Sequence, residues 1–148
     1  MQVKYTAHAT TGYAGRTGTA ATDDGKVAVS LSVPKEMGGD GGPGTNPEQL
    51  FALGYSACFM GAMKGAAGRL KVKLPEDTTV TGAVSFYDRE DGVGYGIRAA
   101  LTASAPGLDQ ATLEEVMALA PDICPYSNLI RFPHDVELTA VGELEAAE

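Results

Sequence analysis

The sequence predicts an α+β fold in which antiparallel strands pack with helices. Three observations support this class: segments of alternating polar and apolar residues, Asp-Gly turns between them, and two helical segments with capping residues. The elements follow in the order strands, helix, strands, helix, strand. A chain of 148 residues that is 44% hydrophobic can bury a sizeable core, so we expect one domain over residues 1–148.

The first third of the chain predicts strands. Residues 2–8 alternate between polar and apolar side chains, which favours a strand. Residues 14–33 are typical of a hairpin that turns at Asp23-Asp24-Gly25, because an Asp-Gly pair supplies the positive φ that such a turn needs. The glycine-rich stretch 37–47 then interrupts regular structure.

A long helix is expected directly after this stretch. Asn46 or Thr45 can cap it, Pro47 suits its first position, and Glu48 complements the positive end of its dipole. Residues 49–63 carry no charge and are apolar or small on every side. A helix with this pattern is buried all round, which indicates a central helix at or near a subunit interface.

The second half predicts a longer hairpin and a second helix. Residues 78–87 and 94–105 read as two antiparallel strands joined around Asp91-Gly92. Asp109 is expected to cap the second helix, and Pro121 to end or kink it. One face of that helix is apolar, formed by Leu113, Val116, Met117 and Ala120.

The end of the chain predicts one more strand and a tail. Residues 135–141 alternate like a strand, and the acidic segment 142–148 is expected to fray.

Charge and composition exclude several classes of function. The formal net charge of −8 argues against partners that are nucleic acids or anionic membranes. No apolar run approaches the length of a membrane span, and the N-terminal residues lack a hydrophobic signal core, so we expect a cytoplasmic protein. Two cysteines and two histidines without ligand-like spacing predict no metal site.

The two cysteines lie in different settings. Cys58 is within the long uncharged helix, and Cys124 directly precedes Pro125. Cys58 has two readings: a small buried hydrophobe, or a nucleophile whose thiol needs a nearby cation to ionise near pH 7. For the second reading, Arg16 between two glycines is a better candidate than Lys64, which lies on the far side of the helix.

The positions of Glu48 and Cys124 limit what each can do. Ten residues of helix separate Glu48 from Cys58, about 15 Å. Glu48 therefore cannot be the immediate base for that thiol, and it would instead orient Arg16 or act across a dimer interface. Pro125 is expected to halt the preceding helix and leave Cys124 at a mobile end.

Five segments resemble one known family. The chain is similar to the organic hydroperoxide resistance proteins of the osmotically inducible protein C superfamily, and the likeness covers nearly the whole chain. It is carried by GRTG (15–18), MGGDGGPGTNPEQLFALGYSACFMGAMK (37–64), KLPED (73–77), PGLD (106–109) and CPYSN (124–128).

This resemblance implies a thiol peroxidase for organic, fatty-acid-like hydroperoxides. Cys58 matches the peroxidatic cysteine, Cys124 the resolving cysteine that forms a disulfide with it, Arg16 the polarising arginine, and Glu48 the glutamate that holds this arginine. The family fold is an intertwined homodimer with antiparallel sheets wrapped around central helices. Its members take electrons from dihydrolipoamide or lipoylated proteins, without a metal or haem cofactor.

The residues near the two cysteines add an expectation about the substrate pocket and two differences from the family pattern. The apolar side chains of Phe51, Tyr55, Phe59 and Met60 either shape the substrate pocket or pack as plain core. The family pattern is broken on both sides of Cys124, at Pro121 and at the segment that contains Phe132 and Pro133.

Two other functions remain open on the sequence alone. One is a general peroxidase of the same superfamily that prefers hydrogen peroxide. The other is a non-catalytic dimeric scaffold or small-ligand binder in which both cysteines are inert core residues.

Overall fold

The structure is a computed structural model that describes residues 1–142, and it confirms the α+β class. These residues form two antiparallel sheets and three α-helices. In chain order the elements are β1 (Ala9–Thr11), β2 (Thr19–Thr22), β3 (Ala28–Ser30), α1 (Pro47–Leu70), β4 (Thr79–Asp88), β5 (Tyr95–Ser104), α2 (Gln110–Leu119) and α3 (Pro125–Arg131).

The small sheet has the order β1-β2-β3. The predicted hairpin is present as β2 and β3, and its turn contains Gly25 at φ 72°, a conformation that glycine adopts without steric cost. Residues 15–17, which were expected in a strand, form a 3₁₀ turn instead. This turn carries Arg16 beside the sheet.

The predicted strand over residues 2–8 is wrong. Strand pairing begins only at Ala9, opposite Thr22, and the carbonyl of His8 accepts one further bond from the amide of Asp23. At Asp23 the chain leaves β2 and turns into the hairpin, so residues 1–7 have no strand to pair with. A strand needs such a partner for its backbone groups, and alternation alone does not provide one.

The predicted strand over residues 135–141 is also wrong. This segment has no regular structure, and its apolar side chains, such as Val136 and Leu138, are exposed. No strand of residues 1–142 lies beside it, so the same argument applies. Of the acidic tail expected to fray, residues 143–148 lie outside the described residues.

Helix α1 begins as predicted. The side chain of Asn46 accepts a hydrogen bond from the amide of Gln49 at 2.8 Å, and Pro47 occupies the first turn. The helix buries one face, which consists of Tyr55, Phe59, Ala62, Met63, Ala66 and Ala67.

The expectation that α1 is buried on every side is not met within one chain. Leu53 is 66% exposed, and Ala57 and Gly61 on the following turns of the same face are exposed as well. The chain is too short to cover this face with its own elements.

Strands β4 and β5 form the second sheet, as predicted. They pair from Thr79 opposite Ser104 to Asp88 opposite Tyr95, and the side chain of Asp91 accepts the amide of Val93 in the turn. Helix α1 packs against β4, and the core lies between the helices and this sheet.

Helix α2 is capped by Asp109, whose side chain accepts the amide of Thr112 at 3.0 Å. It ends at Leu119, and Pro121 lies in a 3₁₀ turn over Ala120–Asp122, which confirms that this proline ends the helix.

Helix α3 is not predicted by the sequence analysis. Pro125 does not leave a mobile chain end but occupies the first position of α3, where its missing amide proton has no cost. Cys124 is the residue that precedes this helix, and it is 0% exposed. The expectation of a mobile thiol is therefore wrong.

No helix within residues 1–142 is long and apolar enough to cross a membrane.

Candidate active site

The two cysteine side chains meet between α1 and the start of α3. The Sγ atoms of Cys58 and Cys124 are 3.5 Å apart, and both thiols are free. Cys58 is half-buried, whereas Cys124 is completely buried. The sequence analysis expected these two thiols to act together, and the fold brings them into contact.

Segment 124–127 approaches α1 closely at three places. Besides the two thiols, the hydroxyl of Tyr55 forms a buried 2.8 Å hydrogen bond with that of Ser127. The third contact is at Gly54, where a Cβ atom would lie 2.6 Å from the hydroxyl oxygen of Tyr126. Glycine at this position therefore permits the close approach of α3 to α1.

The surroundings of the two thiols shift their pKa values in opposite directions. Burial raises the pKa of Cys58, and the neighbouring Cys124 adds to this effect, against the backbone amide of Tyr126, which lowers it. Burial also raises the pKa of Cys124, but the amide and hydroxyl of Ser127, together with Cys58 and the amide of Tyr126, outweigh it. Together these groups lower the pKa of Cys124 below its ordinary value, so Cys124 is the thiol of the pair that ionises first.

No capping hydrogen bond of ordinary geometry reaches the Cys124 side chain. The donors of Ser127 and Tyr126 nevertheless lower the pKa of this sulfur, although sulfur is a weak acceptor.

Arg16 and Glu48 form a second group of polar side chains. The guanidinium donates two hydrogen bonds to the carboxylate, of 3.0 and 2.8 Å, and it lies 5.5 Å from the ring centre of Phe86. The hydrogen bond to Glu48 raises the pKa of Arg16, and the same bond lowers the pKa of Glu48. A two-pronged pair of this kind holds the arginine in one orientation.

The structure does not bring this pair to the thiols of the same chain. Arg16 is not among the groups that shift the pKa of Cys58. Glu48 stands at the first turn of α1, and the ten residues of continuous helix before Cys58 span about 15 Å. Within residues 1–142, no cation is among the groups that shift the pKa of Cys58.

The predicted pocket residues separate into two cavities. Phe51, Tyr55 and Phe59 line an apolar cavity of about 580 Å³, which also includes Pro121 and Ser127. Met60 lines a different cavity on another side of α1, so the structure does not bring it together with the three aromatic residues.

The Arg16–Glu48 pair lines a cavity of its own, of about 900 Å³. Phe86 and Tyr95 form part of its wall, and their rings stack at a centroid distance of 4.8 Å. This cavity does not include either cysteine.

The departures from the family pattern form a local structure around Cys124. Arg131 donates a 3.0 Å hydrogen bond to Asp122, so a salt bridge connects the two ends of the segment that holds the thiol. Arg131 also lies 5.7 Å from the ring centre of Phe132. Pro133 follows outside any regular element.

Ser127, Tyr126 and Gly54 are the site residues that the sequence analysis missed. A signal for Ser127 was present, because Tyr55 precedes Cys58 by three residues and Ser127 follows Cys124 by three. Residues at this spacing lie on one face of a helix. Within residues 1–142, no group of three or more His, Cys, Asp or Glu side chains is placed to hold a metal ion.

Comparison with known proteins defines the class of this fold and site. Residues 38–139 match the family model described as OsmC-like protein. The chain is 48% identical over 139 residues to an organic hydroperoxide resistance protein of Xanthomonas axonopodis pv. citri, with 93% of this chain and 95% of that protein covered. It is 36% identical to organic hydroperoxide resistance protein OhrB of Bacillus subtilis, with 84% of this chain and 89% of that protein covered.

A solved structure agrees with this assignment. The crystal structure of an organic hydroperoxide resistance protein from Legionella pneumophila matches with a TM-score of 0.79 and 42% identity, over 88% of this chain and 93% of that chain. The chain therefore belongs to the OsmC-like family, within its group of organic hydroperoxide resistance proteins.

Proposed function

We propose that this protein is a thiol-dependent peroxidase that reduces organic hydroperoxides to alcohols. The observation that carries the proposal is the 3.5 Å separation of the Cys58 and Cys124 sulfur atoms. A disulfide bond is about 2.05 Å long, so an approach of about 1.5 Å by one side chain closes it. The names of the relatives supply the substrate class, organic hydroperoxides.

The reaction begins at Cys58. Its thiolate attacks the distal oxygen of ROOH, the O–O bond breaks, and the alcohol ROH leaves, with a sulfenic acid on Cys58. Cys124 then attacks the Cys58 sulfur, and the sulfenic oxygen leaves as water, which yields the disulfide. Closure of this disulfide protects Cys58 from further oxidation.

An external dithiol completes the cycle. We propose dihydrolipoamide or a lipoylated protein as the reductant, which reopens the disulfide by thiol–disulfide exchange. The protein's own chemistry then needs neither a metal nor another cofactor.

The apolar cavity supports an organic substrate. Phe51, Tyr55 and Phe59 form its apolar wall. Ser127, Arg98 and Arg131 also line it, whereas neither cysteine does. The transfer of an alkyl or fatty-acid-like group from water to such a wall is favourable, whereas hydrogen peroxide has no apolar group to transfer.

Activation of Cys58 requires a second copy of the chain. The pKa of Cys58 is raised within one chain, while Arg16 is held by Glu48 away from it. The exposed face of α1 at Leu53 leaves room for a second subunit. We propose an intertwined homodimer, acting in the cytoplasm without nucleic-acid or membrane partners, in which the Arg16–Glu48 pair of one copy assists Cys58 of the other.

Anaerobic titration of the reduced protein with cumene hydroperoxide, read by intact mass, tests the proposal. We expect both thiols to disappear with a loss of about 2 Da per chain, since one disulfide removes two hydrogens. A matched titration with hydrogen peroxide should be slower. Equal rates would favour the general peroxidase, and no change in mass with either oxidant would favour the non-catalytic scaffold.

A further inference from the structure

Two contacts with the same spacing connect α1 to the segment that carries Cys124. One is between the sulfur atoms of Cys58 and Cys124 at 3.5 Å, and the other is the 2.8 Å hydrogen bond between Tyr55 and Ser127. Tyr55 and Cys58 are three residues apart, as are Cys124 and Ser127. The two contacts are therefore neighbouring links between the same two pieces of backbone, one helical turn apart.

The Tyr55–Ser127 hydrogen bond is protected from water. Ser127 is 3% exposed and Tyr55 is 8% exposed. Every buried side-chain nitrogen or oxygen in residues 1–142 has a hydrogen-bond partner, and for these two hydroxyls it is this bond. Loss of either hydroxyl would leave the other buried without a partner, which is unfavourable.

The direction of this hydrogen bond determines what Ser127 offers to Cys124. A serine hydroxyl has one proton to donate and can also accept. When Tyr55 donates to the Ser127 oxygen, the Ser127 proton is free to point towards the sulfur three residues earlier. In the opposite direction that proton is used for Tyr55, and the sulfur loses a donor.

We propose that Tyr55 and Ser127 are positioning residues for disulfide formation: Tyr55 donates to Ser127, and Ser127 holds the Cys124 thiolate against Cys58. This inference rests on the proposed peroxidase function, in which Cys58 has become a sulfenic acid. In the closing step the S–S bond forms, the S–O bond of Cys58 breaks, and its oxygen takes one proton from solvent and leaves as water.

The charge distribution at the two thiols agrees with this assignment. The amide and hydroxyl of Ser127 lower the pKa of Cys124 against the effect of burial. The pKa of Cys58 is raised. In the reduced pair, the sulfur with the stabilised negative charge is thus the one that attacks in the proposed closing step, and the groups that lower its pKa are Ser127, the amide of Tyr126 and the Cys58 thiol.

Quenched-flow mass spectrometry of the reduced full chain after one equivalent of cumene hydroperoxide separates the two steps. We compare Tyr55→Phe and Ser127→Ala, which remove one hydroxyl each and keep nearly the same volume. Ser56→Ala is the matched control, because its hydroxyl donates to the carbonyl of Leu53 within α1 and is outside the Tyr55–Ser127 bond.

The expected result is specific to the second step. Conversion of the Cys58 sulfenic acid to the disulfide slows by about tenfold in both variants, the effect of one buried hydrogen bond, and it slows by more than the formation of the sulfenic acid does. In Ser127→Ala the pH profile of closure also moves to higher pH, since Cys124 loses its donor. The double variant is no slower than Ser127→Ala, because the two hydroxyls act as one unit.

Three outcomes would overturn the inference: closure at the wild-type rate in Tyr55→Phe, an unchanged pH profile in Ser127→Ala, or equal slowing in Ser56→Ala. A failure of the proposed function is distinguishable, because no protein, including the wild type, would then gain oxygen on Cys58. In that case closure is measured from the mixed disulfide between Cys58 and glutathione, which Cys124 attacks with release of the glutathione thiolate. The inference predicts closure about tenfold slower in both variants than in the control, and equal rates would contradict it.

Discussion

The thiol pair and the Arg16–Glu48 pair differ in how each is completed within one chain. Cys58 and Cys124 are in contact, and their hydrogen-bonding neighbours come from α1 and α3 of the same chain. Arg16 and Glu48 are also in contact with each other, but they line a cavity that contains neither thiol. One chain thus brings together the residues that we propose for disulfide formation and holds those that we propose for thiol activation elsewhere.

This difference identifies the helix α1 as the element that separates two tasks. Glu48 lies at its first turn and Cys58 near its middle, about 15 Å further along. Because the helix is rigid, a conformational change of one side chain cannot close this distance. This distance is the reason that we propose assistance of Cys58 by a second chain and not by the Arg16–Glu48 pair of the same chain.

The largest effect on peroxide turnover is expected from substitution of the two cysteines. We expect Cys58→Ser to abolish peroxide turnover, by more than about a thousandfold, because a hydroxyl is a far weaker nucleophile than a thiolate at neutral pH. Cys124→Ser should still reduce one equivalent of peroxide and then accumulate sulfinic acid on Cys58. Steady-state peroxide consumption and intact mass measure both. Turnover by Cys58→Ser would remove Cys58 from the mechanism.

A smaller effect is expected from closing the space between α1 and α3. In Gly54→Ala the new methyl group would lie 2.6 Å from the Tyr126 hydroxyl oxygen, so the Tyr126 ring must move, and we expect segment 124–127 to move with it. We expect an overpacking cost of about 1–3 kcal/mol, partly offset by the better helix propensity of alanine, about 1 kcal/mol. Disulfide closure should slow, and peroxide reduction should not.

The matched control for this variant is Gly68→Ala, where nothing lies within 4 Å of the new methyl group. It should raise stability by up to about 1 kcal/mol and leave closure unchanged. Denaturant unfolding measures the stability of both proteins. Identical behaviour of the two variants would mean that the Gly54–Tyr126 contact does not position Cys124.

A third prediction concerns the ionisation of the separate thiols. Ultraviolet absorbance of the thiolate is followed against pH in Cys58→Ser and in Cys124→Ser, each also carrying Arg16→Ala so that the arginine of a second copy does not act on Cys58. We expect the remaining Cys124 to ionise at lower pH than the remaining Cys58, because Ser127 lowers the pKa of the former and burial raises that of the latter. The reverse order would contradict the assignment of the negative charge to Cys124.

The smallest effect is expected at the salt bridge between Asp122 and Arg131. Both side chains are largely exposed, and exposed ion pairs contribute about 0–1 kcal/mol. Asp122→Asn should therefore change stability by less than about 1 kcal/mol and closure by less than threefold. A larger slowing of closure would mean that this ion pair, which the sequence did not predict, helps to hold Cys124 in place.

The elements that could be predicted from sequence carry their own local signals. Helix α1 is preceded by Asn46 and begins with Pro47, and both act through the first turn alone. The hairpin of β4 and β5 is marked by its Asp-Gly turn. The short helix α3 was missed because Pro125 after Cys124 is compatible with either the end of one helix or the start of another.

The features that could not be predicted depend on contacts distant in sequence. The alternation in residues 2–8 and 135–141 is compatible with strands, but the part of the chain that the structure describes provides no neighbouring strand for them. The hydrogen bond between Tyr55 and Ser127 joins residues 72 positions apart, and it exists only once α3 has packed on α1. The separation of Met60 from the three aromatic residues likewise follows from which side of α1 faces the sheet.

Mixing two inactive variants tests most directly whether the two separated groups serve one catalytic cycle. Arg16→Ala retains Cys58, and Cys58→Ser retains Arg16, so neither homodimer contains a complete site. The two proteins are unfolded together and refolded as an equal mixture, and initial reduction of cumene hydroperoxide is measured. We expect each mixed dimer to regain one of its two sites. Half of the dimers are mixed when equal amounts pair at random, so the mixture should show about a quarter of wild-type activity. Activity no higher than the average of the two separate variants would contradict assistance of Cys58 by the Arg16–Glu48 pair of a second copy.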